Sequence, residues 1–296
     1  MNEENKNKVV WITGSASGVG RHLANAFVEK GYRVLATDIN FISLKKSFSE
    51  AARTNKNLIL EKQDVTSKKD WEVVFKKVIL KFKQLDILIN NAGYVKPSFL
   101  IKTNEQDLNR HIDINFKGVA IGSLTAAKYM QQQKKGHIIN IASLAGVAPV
   151  SGLGLYSAAK FAVRSFSLVL AHELKEHGVY VTVVCPDLIK TPMYELQLDY
   201  ADESALVFSG PKPLTTKDIE NVIFQKALKK KPMEITLPRS RGFLSKMGNI
   251  FPNLSYHLSK GLRKKGRKKI IEAKANQKKE IPIETNQSKT KRKHSG

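Results

Sequence analysis

The sequence has a single cysteine, Cys185, in 296 residues. No internal disulfide can form, and a reducing compartment fits that usage. No stretch approaches the ~20 consecutive apolar residues of a membrane-crossing helix. The opening MNEENKNKVVWITG is polar and runs straight into an apolar segment. It lacks the apolar core of a secretory leader, so a cytoplasmic location is expected. The seven histidines and one cysteine show no ligand-like spacing, so no metal centre is expected. Acids are few: 26 Asp and Glu face 50 Lys and Arg, a formal charge of +24. No internal repeat is visible, which excludes a solenoid.

What is present is a chain long and apolar enough, at 42% hydrophobic residues, for one large α/β domain or two small ones. Its positive charge is unevenly placed. Residues 241–296 hold 16 Lys and Arg against 3 acids, a net of +13, and the other 240 residues hold 34 against 23, a net of +11.

Val9 to Ile12 form an apolar run that ends at the turn TGSASGVG, and a helix-like RHLANAFVEKG follows. Strand, glycine turn and helix give a glycine motif its meaning. Gly14 permits the tight turn, Gly18 lets the backbone approach a phosphate, and Gly20 allows close helix packing. The helix start then offers unpaired N–H groups to a pyrophosphate. The spacing is Gly14-x3-Gly18-x-Gly20 rather than G-x-G-x-x-G, and a simple tight turn is the plainer alternative. A second strand, Tyr32–Thr37, ends at Asp38, placed to accept hydrogen bonds from an adenosine ribose. A carboxylate there repels a 2′-phosphate, and neither Ser17 nor Ile39 supplies a cation. NAD is therefore expected over NADP. Asp38 as a helix cap is the alternative.

Residues 41–54 read as helix and Leu58–Leu60 as a third strand leading to Asp64-Val65. Asp64 either caps a helix or bonds an adenine edge. Asp70 to Phe82 is amphipathic at helical spacing. The buried strand Leu85–Ile89 ends at Asn90-Asn91-Ala92-Gly93, where small and short polar residues let the backbone approach a ligand. Glu105 to Tyr129 reads as a long helix, irregular near Asn115 and Gly118. Strand His137–Ile141 is followed by Ser143, at the sheet edge where open α/β folds bind ligands. VYVTVVCPDLIKTPM supplies the last clear strand and a turn. Alternating strands and helices predict a doubly wound, Rossmann-type parallel sheet.

Tyr156 and Lys160 are four residues apart, so they share one face of a helix. A buried lysine beside a phenol favours the phenolate. Lowering a tyrosine from about 10 to about 7 takes roughly 4 kcal/mol. One positive charge about 4 Å away, at an effective dielectric near 20, supplies about that much. The pair is a candidate acid/base catalyst. By itself the spacing occurs in many helices; the upstream motifs give it weight.

Taken in order, TGSASGVG, Asp64-Val65, NNAG at 90–93, Asn115, Ser143, YSAAK at 156–160, and Pro186 with Thr191 resemble the classical short-chain dehydrogenase/reductase family over residues 8–238. The resemblance implies a seven-stranded parallel sheet and NAD(P)-dependent interconversion of an alcohol and a carbonyl. It also implies a homo-oligomer. By that resemblance Tyr156 is the acid/base. Lys160 lowers its pKa and holds the nicotinamide ribose, Ser143 bonds the substrate oxygen, and Asn115 anchors a proton-relaying water. Gly14, Ser17, Gly18, Val19, Gly20, Asp38, Asp64, Val65, Asn91, Ala92, Gly93 and Pro186 line the cofactor, with Thr191 near the carboxamide. One position departs: Asp187 follows Pro186 where the family usually has glycine.

Residues 188–213 form an expected lid, rich in Met193, Tyr194, Leu196, Leu198 and Tyr200, with Gly210 and Pro211 as a hinge. With Val147, Val150 and Leu153 they point to a small lipophilic alcohol or ketone substrate, or else to core or interface packing. Beyond residue 238, Phe243, Met247, Ile250, Leu254, Leu258 and Leu262 recur among cations, with Pro252 as a break. Three partners suit residues 239–272: an anionic membrane surface holding the protein peripherally, packing over the substrate mouth or a second subunit, and, least favoured, nucleic acid. From Ala273 to Gly296 the chain reads as a disordered tail. A different class of function, a non-catalytic dinucleotide-binding protein whose basic tail binds membrane or RNA, stands beside the enzyme. The complete set Asn115, Ser143, Tyr156 and Lys160 favours the enzyme, because a binding module has no need of a tuned phenol.

Overall fold

Each apolar run becomes a strand of one parallel sheet. The computed structural model describes residues 7–48 and 55–280. The strands are β1 (Val9–Thr13), β2 (Arg33–Asp38), β3 (Leu58–Lys62), β4 (Ile87–Asn90), β5 (Gly136–Ile141), β6 (Val179–Pro186) and β7 (Glu234–Leu237). Their order is β3-β2-β1-β4-β5-β6-β7. Every pairing is parallel; Val10 of β1 stands between Val34 of β2 and Ile87 of β4. Chain order reverses between β1 and β4, and a crevice opens there beyond the strands' C-terminal ends.

Ten helices of six residues or more cover the sheet among the described residues. They are α1 (Gly18–Glu29), α2 (Phe41–Lys46), α3 (Lys68–Phe82), α4 (Glu105–Ile112) and α5 (Gly118–Gln133). After them come α6 (Gly154–Leu174), α7 (Pro192–Leu198), α8 (Thr216–Val222), α9 (Arg239–Ile250) and α10 (Pro252–Glu280). Side chains alternate across a strand. Val10 and Ile12 therefore join one core with Leu23 and Phe27 of α1, while Val9 and Trp11 join the other with Trp71 and Val74 of α3.

Several boundaries differ from expectation. Helix α2 stops at Lys46; residues 49–54 lie outside the described residues. The long helix through residue 115 is two helices joined by a π-helical segment, Asp113–Lys117. Strand β7 carries only Ile235 as a buried residue, too weak a pattern to read from the chain. The basic segment is not a distinct extension. Helix α10 runs on through Ala273 to Glu280, with Ile270 buried against Tyr194, Leu198 and Phe208. That burial orders residues whose composition alone reads as a tail; residues 281–296 lie outside the described residues. Pro252 does divide α9 from α10. At Gly266 the helix approaches the body so closely that a Cβ would lie 1.6 Å from the Ala205 carbonyl oxygen. No helix among the described residues is long and apolar enough to cross a membrane.

Candidate active site

The glycine turn is built for close approach. Gly14 and Gly18 adopt φ of +67° and +54°, the left-handed region that suits glycine. At Gly20 a Cβ would sit 2.1 Å from the Gly14 carbonyl oxygen, so only glycine lets α1 start against the turn. Thr13 at the end of β1 accepts hydrogen bonds through Oγ1 from the Asn91 and Ala92 backbone N–H groups, at 3.0 and 3.1 Å. Asn91 returns its Nδ2 to the carbonyls of Thr13 and Gly14. Its side chain thus fastens β4 to the glycine turn.

Asp38 ends β2. One carboxylate oxygen accepts from Ala16 N at 3.0 Å and the other from Asn40 N at 2.9 Å. Helix α2 is capped by Asn40, whose side chain accepts from Ser43 N, so Asp38 is not the cap. Nor does Asp64 cap α3. That is done by Ser67, whereas Asp64 holds the Thr66 N–H and hydroxyl at 2.9 and 2.8 Å.

At the edge of β5 four polar side chains gather. Asn115 is fully buried in the π-helical segment. It exchanges two hydrogen bonds with the Tyr94 backbone, accepting at 2.9 Å and donating at 2.8 Å. The extra residue of that segment turns Asn115 inward beside Gly93, where a Cβ would be 3.2 Å from Asn115 Oδ1 and 3.8 Å from Lys160 Nζ. Ser143 follows β5 in extended conformation and accepts from Ala145 N at 3.1 Å. Its hydroxyl is hydrogen-bonded with Tyr156. Lys160, one turn further along α6, is buried and donates to the Ile141 carbonyl at 2.9 Å.

The electrostatics differ from the sequence expectation. Burial pushes the Tyr156 phenol up to about 12, and the Ser143 hydrogen bond only partly offsets this. Burial brings Lys160 down to about 8. The Lys160 ammonium lies 5.6 Å from the Tyr156 ring centre and is turned toward Ile141. Desolvation therefore outweighs the single nearby charge, and the phenol is held in its protonated form.

A single cavity of about 910 Å³ runs from Gly14, Ser17, Val19 and Asp38, past Val65, Gly93 and Tyr156, to Leu254 and Leu258 of α10. Pro186 and Thr191 line it; Thr191 stands 3.4 Å from where a Gly18 Cβ would be. Tyr194 and Leu198 of the expected lid pack largely into the α10 interface, although Tyr194 also reaches the cavity. The hinge at Gly210 and Pro211 is clamped, since both carbonyls accept from Lys269 of α10. The far wall follows one of the three alternatives open for residues 239–272, packing over the substrate mouth. Leu244, Met247 and Phe251 of α9 line the cavity. Arg241 donates to Asp187 at 2.7 Å. The departure at Asp187 was itself the available signal, because a half-buried carboxylate requires a partner.

Residues 8–200 match the short chain dehydrogenase family. The chain belongs to that family. This short-chain dehydrogenase is an NAD(P)-dependent oxidoreductase. Its relatives include a diacetyl reductase [(S)-acetoin forming] of Staphylococcus epidermidis, 35% identical over 64% of this chain and 74% of the relative. The NAD(+)-dependent 15-hydroxyprostaglandin dehydrogenase of Rattus norvegicus is 31% identical, over 84% of this chain and 97% of the relative. Among solved structures, ElxO with NADP bound is 28% identical, with a TM-score of 0.69 over 78% of this chain and 97% of that one. The dehydrogenase's own residues fit a dinucleotide: Gly14, Ser17, Gly18 and Val19 of the glycine turn line the cavity, and Asp38 stands beside them at the end of β2.

Proposed function

We propose that this short-chain dehydrogenase interconverts a lipophilic alcohol and its carbonyl compound, with Tyr156 as proton carrier and NAD as preferred cofactor. The observation that carries this reading is the convergence of Ser143, Tyr156 and Lys160 on one cavity shared with the glycine turn, with Asn115 buried behind Gly93 beside Lys160.

Ser143 and Tyr156 share a hydrogen bond, so their two hydroxyls form a joint cradle for a substrate oxygen. A phenol held near 12 is protonated at neutral pH and donates to a carbonyl oxygen. A bound nicotinamide supplies the hydride to carbon, or accepts it in the oxidative direction. In oxidation Tyr156 must first release its phenolic proton to solvent, a loss that the Lys160 ammonium favours, and the phenolate then takes the substrate hydroxyl proton. Asn115, fixed by Tyr94, holds a relay water beside Lys160. Asp38 bonds the adenosine ribose and disfavours a 2′-phosphate, with no Lys or Arg lining the cavity beside it. The substrate end is lined by Val150, Leu153, Leu188, Met193 and Leu206, which favours an apolar substrate. One relative is named for a hydroxyprostaglandin and one for diacetyl; the large apolar cavity favours the bulkier kind.

The test is Tyr156→Phe. Turnover of a panel of long-chain and polycyclic alcohols and ketones is expected to fall about 10²–10⁴-fold. NADH affinity, read by fluorescence titration, is expected to stay unchanged. Full activity in the variant would overturn the assignment. Cofactor binding with no turnover of any substrate by the native protein would favour a non-catalytic role.

A further inference from the structure

The two C-terminal helices turn a continuous apolar face outward. On α9, Phe243, Leu244, Ile250 and Phe251 just beyond it are 65%, 64%, 62% and 51% exposed. On α10, Leu254, Leu258 and Leu262 follow at every fourth residue, at 58%, 60% and 40%. Spacing of four keeps a helix stripe on one side. A stripe this large and uncovered marks an interaction surface.

The cations of α10 divide into two sets. Those toward the body are engaged: Arg267 pairs with Asp202 at 2.7 Å, Lys274 with Asp199 at 3.2 Å, and Lys269 with the Gly210 and Pro211 carbonyls. Lys264 and Lys265 are exposed, with no carboxylate within ion-pair distance among the described residues. Lys268 meets only exposed Glu272, at 3.9 Å. Lys265 continues the stripe three residues beyond Leu262, and Lys264 flanks it. Residues 239–280 carry 13 Lys and Arg and 2 acids, a net of +11. The apolar stripe and the unpaired charge therefore coincide.

We propose that this face docks on an anionic phospholipid bilayer. Apolar side chains flanked by cations match the boundary between acyl chains and acidic headgroups. A second copy of this chain would set the same lysines against one another across a twofold axis. The cavity mouth lies in this face, because Leu244, Met247, Phe251, Leu254, Leu258 and Leu262 also line the cavity. Docking thus places the mouth against the lipid, and an apolar substrate enters without crossing water. Substrate entry rests on the function proposed above; docking does not.

The experiment is sedimentation of the full chain with vesicles of phosphatidylcholine alone and of phosphatidylcholine with 30% phosphatidylglycerol. Binding is expected to the anionic vesicles only and to weaken with salt. Lys264→Gln, Lys265→Gln and Lys268→Gln together are expected to weaken it about a hundredfold. Turnover of a detergent-dispersed substrate should stay unchanged in that variant, which separates failure of docking from failure of the enzyme reading. Leu254→Ser with Phe243→Ser should also lower binding. Three results would overturn the proposal: no sedimentation with anionic vesicles, equal binding to neutral ones, or a stable dimer in solution that the serine variants dissociate.

Discussion

Asp38 has both carboxylate oxygens committed to backbone N–H groups, so it is fixed before any ligand arrives. A fixed negative charge discriminates better than a mobile one, because it cannot turn away from a phosphate. NADH is expected to bind at least about tenfold tighter than NADPH, and Asp38→Ser to narrow that ratio, as read by fluorescence titration of both cofactors. His137 gives a second expectation. It is buried, its Nε2 bonds to Thr182 Oγ1 at 2.9 Å, and its Nδ1 has no partner. Thr182 in turn donates to Pro232 O, so the imidazole is neutral with its proton on Nε2. Burial lowers its pKa to about 3. A depressed histidine contributes stability that is full above its unfolded value near 6.5 and is lost as pH falls toward 3. From pH 7 to 5 the loss from this group is about 2 kcal/mol. Urea unfolding at the two values should show it, and His137→Gln should reduce it. Much of the residue scale was legible in the chain. Asp38, Ser143 and the glycines are fixed by their distance from strand ends, and Tyr156 with Lys160 by helical spacing. The Tyr156 pKa was not legible, since it depends on how much desolvation the fold imposes. Nor was the Asp187–Arg241 pair, whose members are 54 residues apart and obey no local period.

Helix α9 is held to the site by that pair, in which Asp187 is 11% and Arg241 25% exposed. Asp187→Gly restores what the family usually carries and leaves Arg241 without a carboxylate. Losing a charged hydrogen bond of this kind weakens local stability by about 1.5–3 kcal/mol. Amide exchange within α9 is therefore expected to rise about tenfold to a hundredfold. The central strands β1, β4 and β5 should be unaffected. Exchange in α9 unchanged by the substitution would show that packing alone positions the helix. Elements differ in how plainly the chain declares them. The apolar stripe of helix α3 was visible, whereas its Ser67 cap was not: Asp64, three residues earlier, is an equally good capping residue type. The irregularity near Asn115 was visible too, though only the structure shows it to be a π-helical segment. The run of α10 to Glu280 was invisible, because Ile270 is ordered by Tyr194 and Phe208, which lie far away in sequence.

At the scale of the molecule, the parallel sheet was the most legible feature, since buried strands need long apolar runs and leave them in the chain. The closure of the cavity was legible only as one of several alternatives for residues 239–272, because a wall is made by where a helix lands. Gly266 decides that landing. Gly266→Ala places a methyl where the Ala205 carbonyl stands, so α10 must lift. A lower melting temperature and a higher KM for bulky substrates are expected, with kcat on a small ketone retained; an unchanged KM would detach α10 from the substrate side. The four polar groups at the sheet edge all precede residue 187, and much of the far wall follows residue 238. What the protein reacts by and what it admits are thus written in separate stretches of chain. Such a partition lets each stretch drift under its own selection: residues 239–280 can be re-drafted for a new clientele while the older machinery is inherited intact.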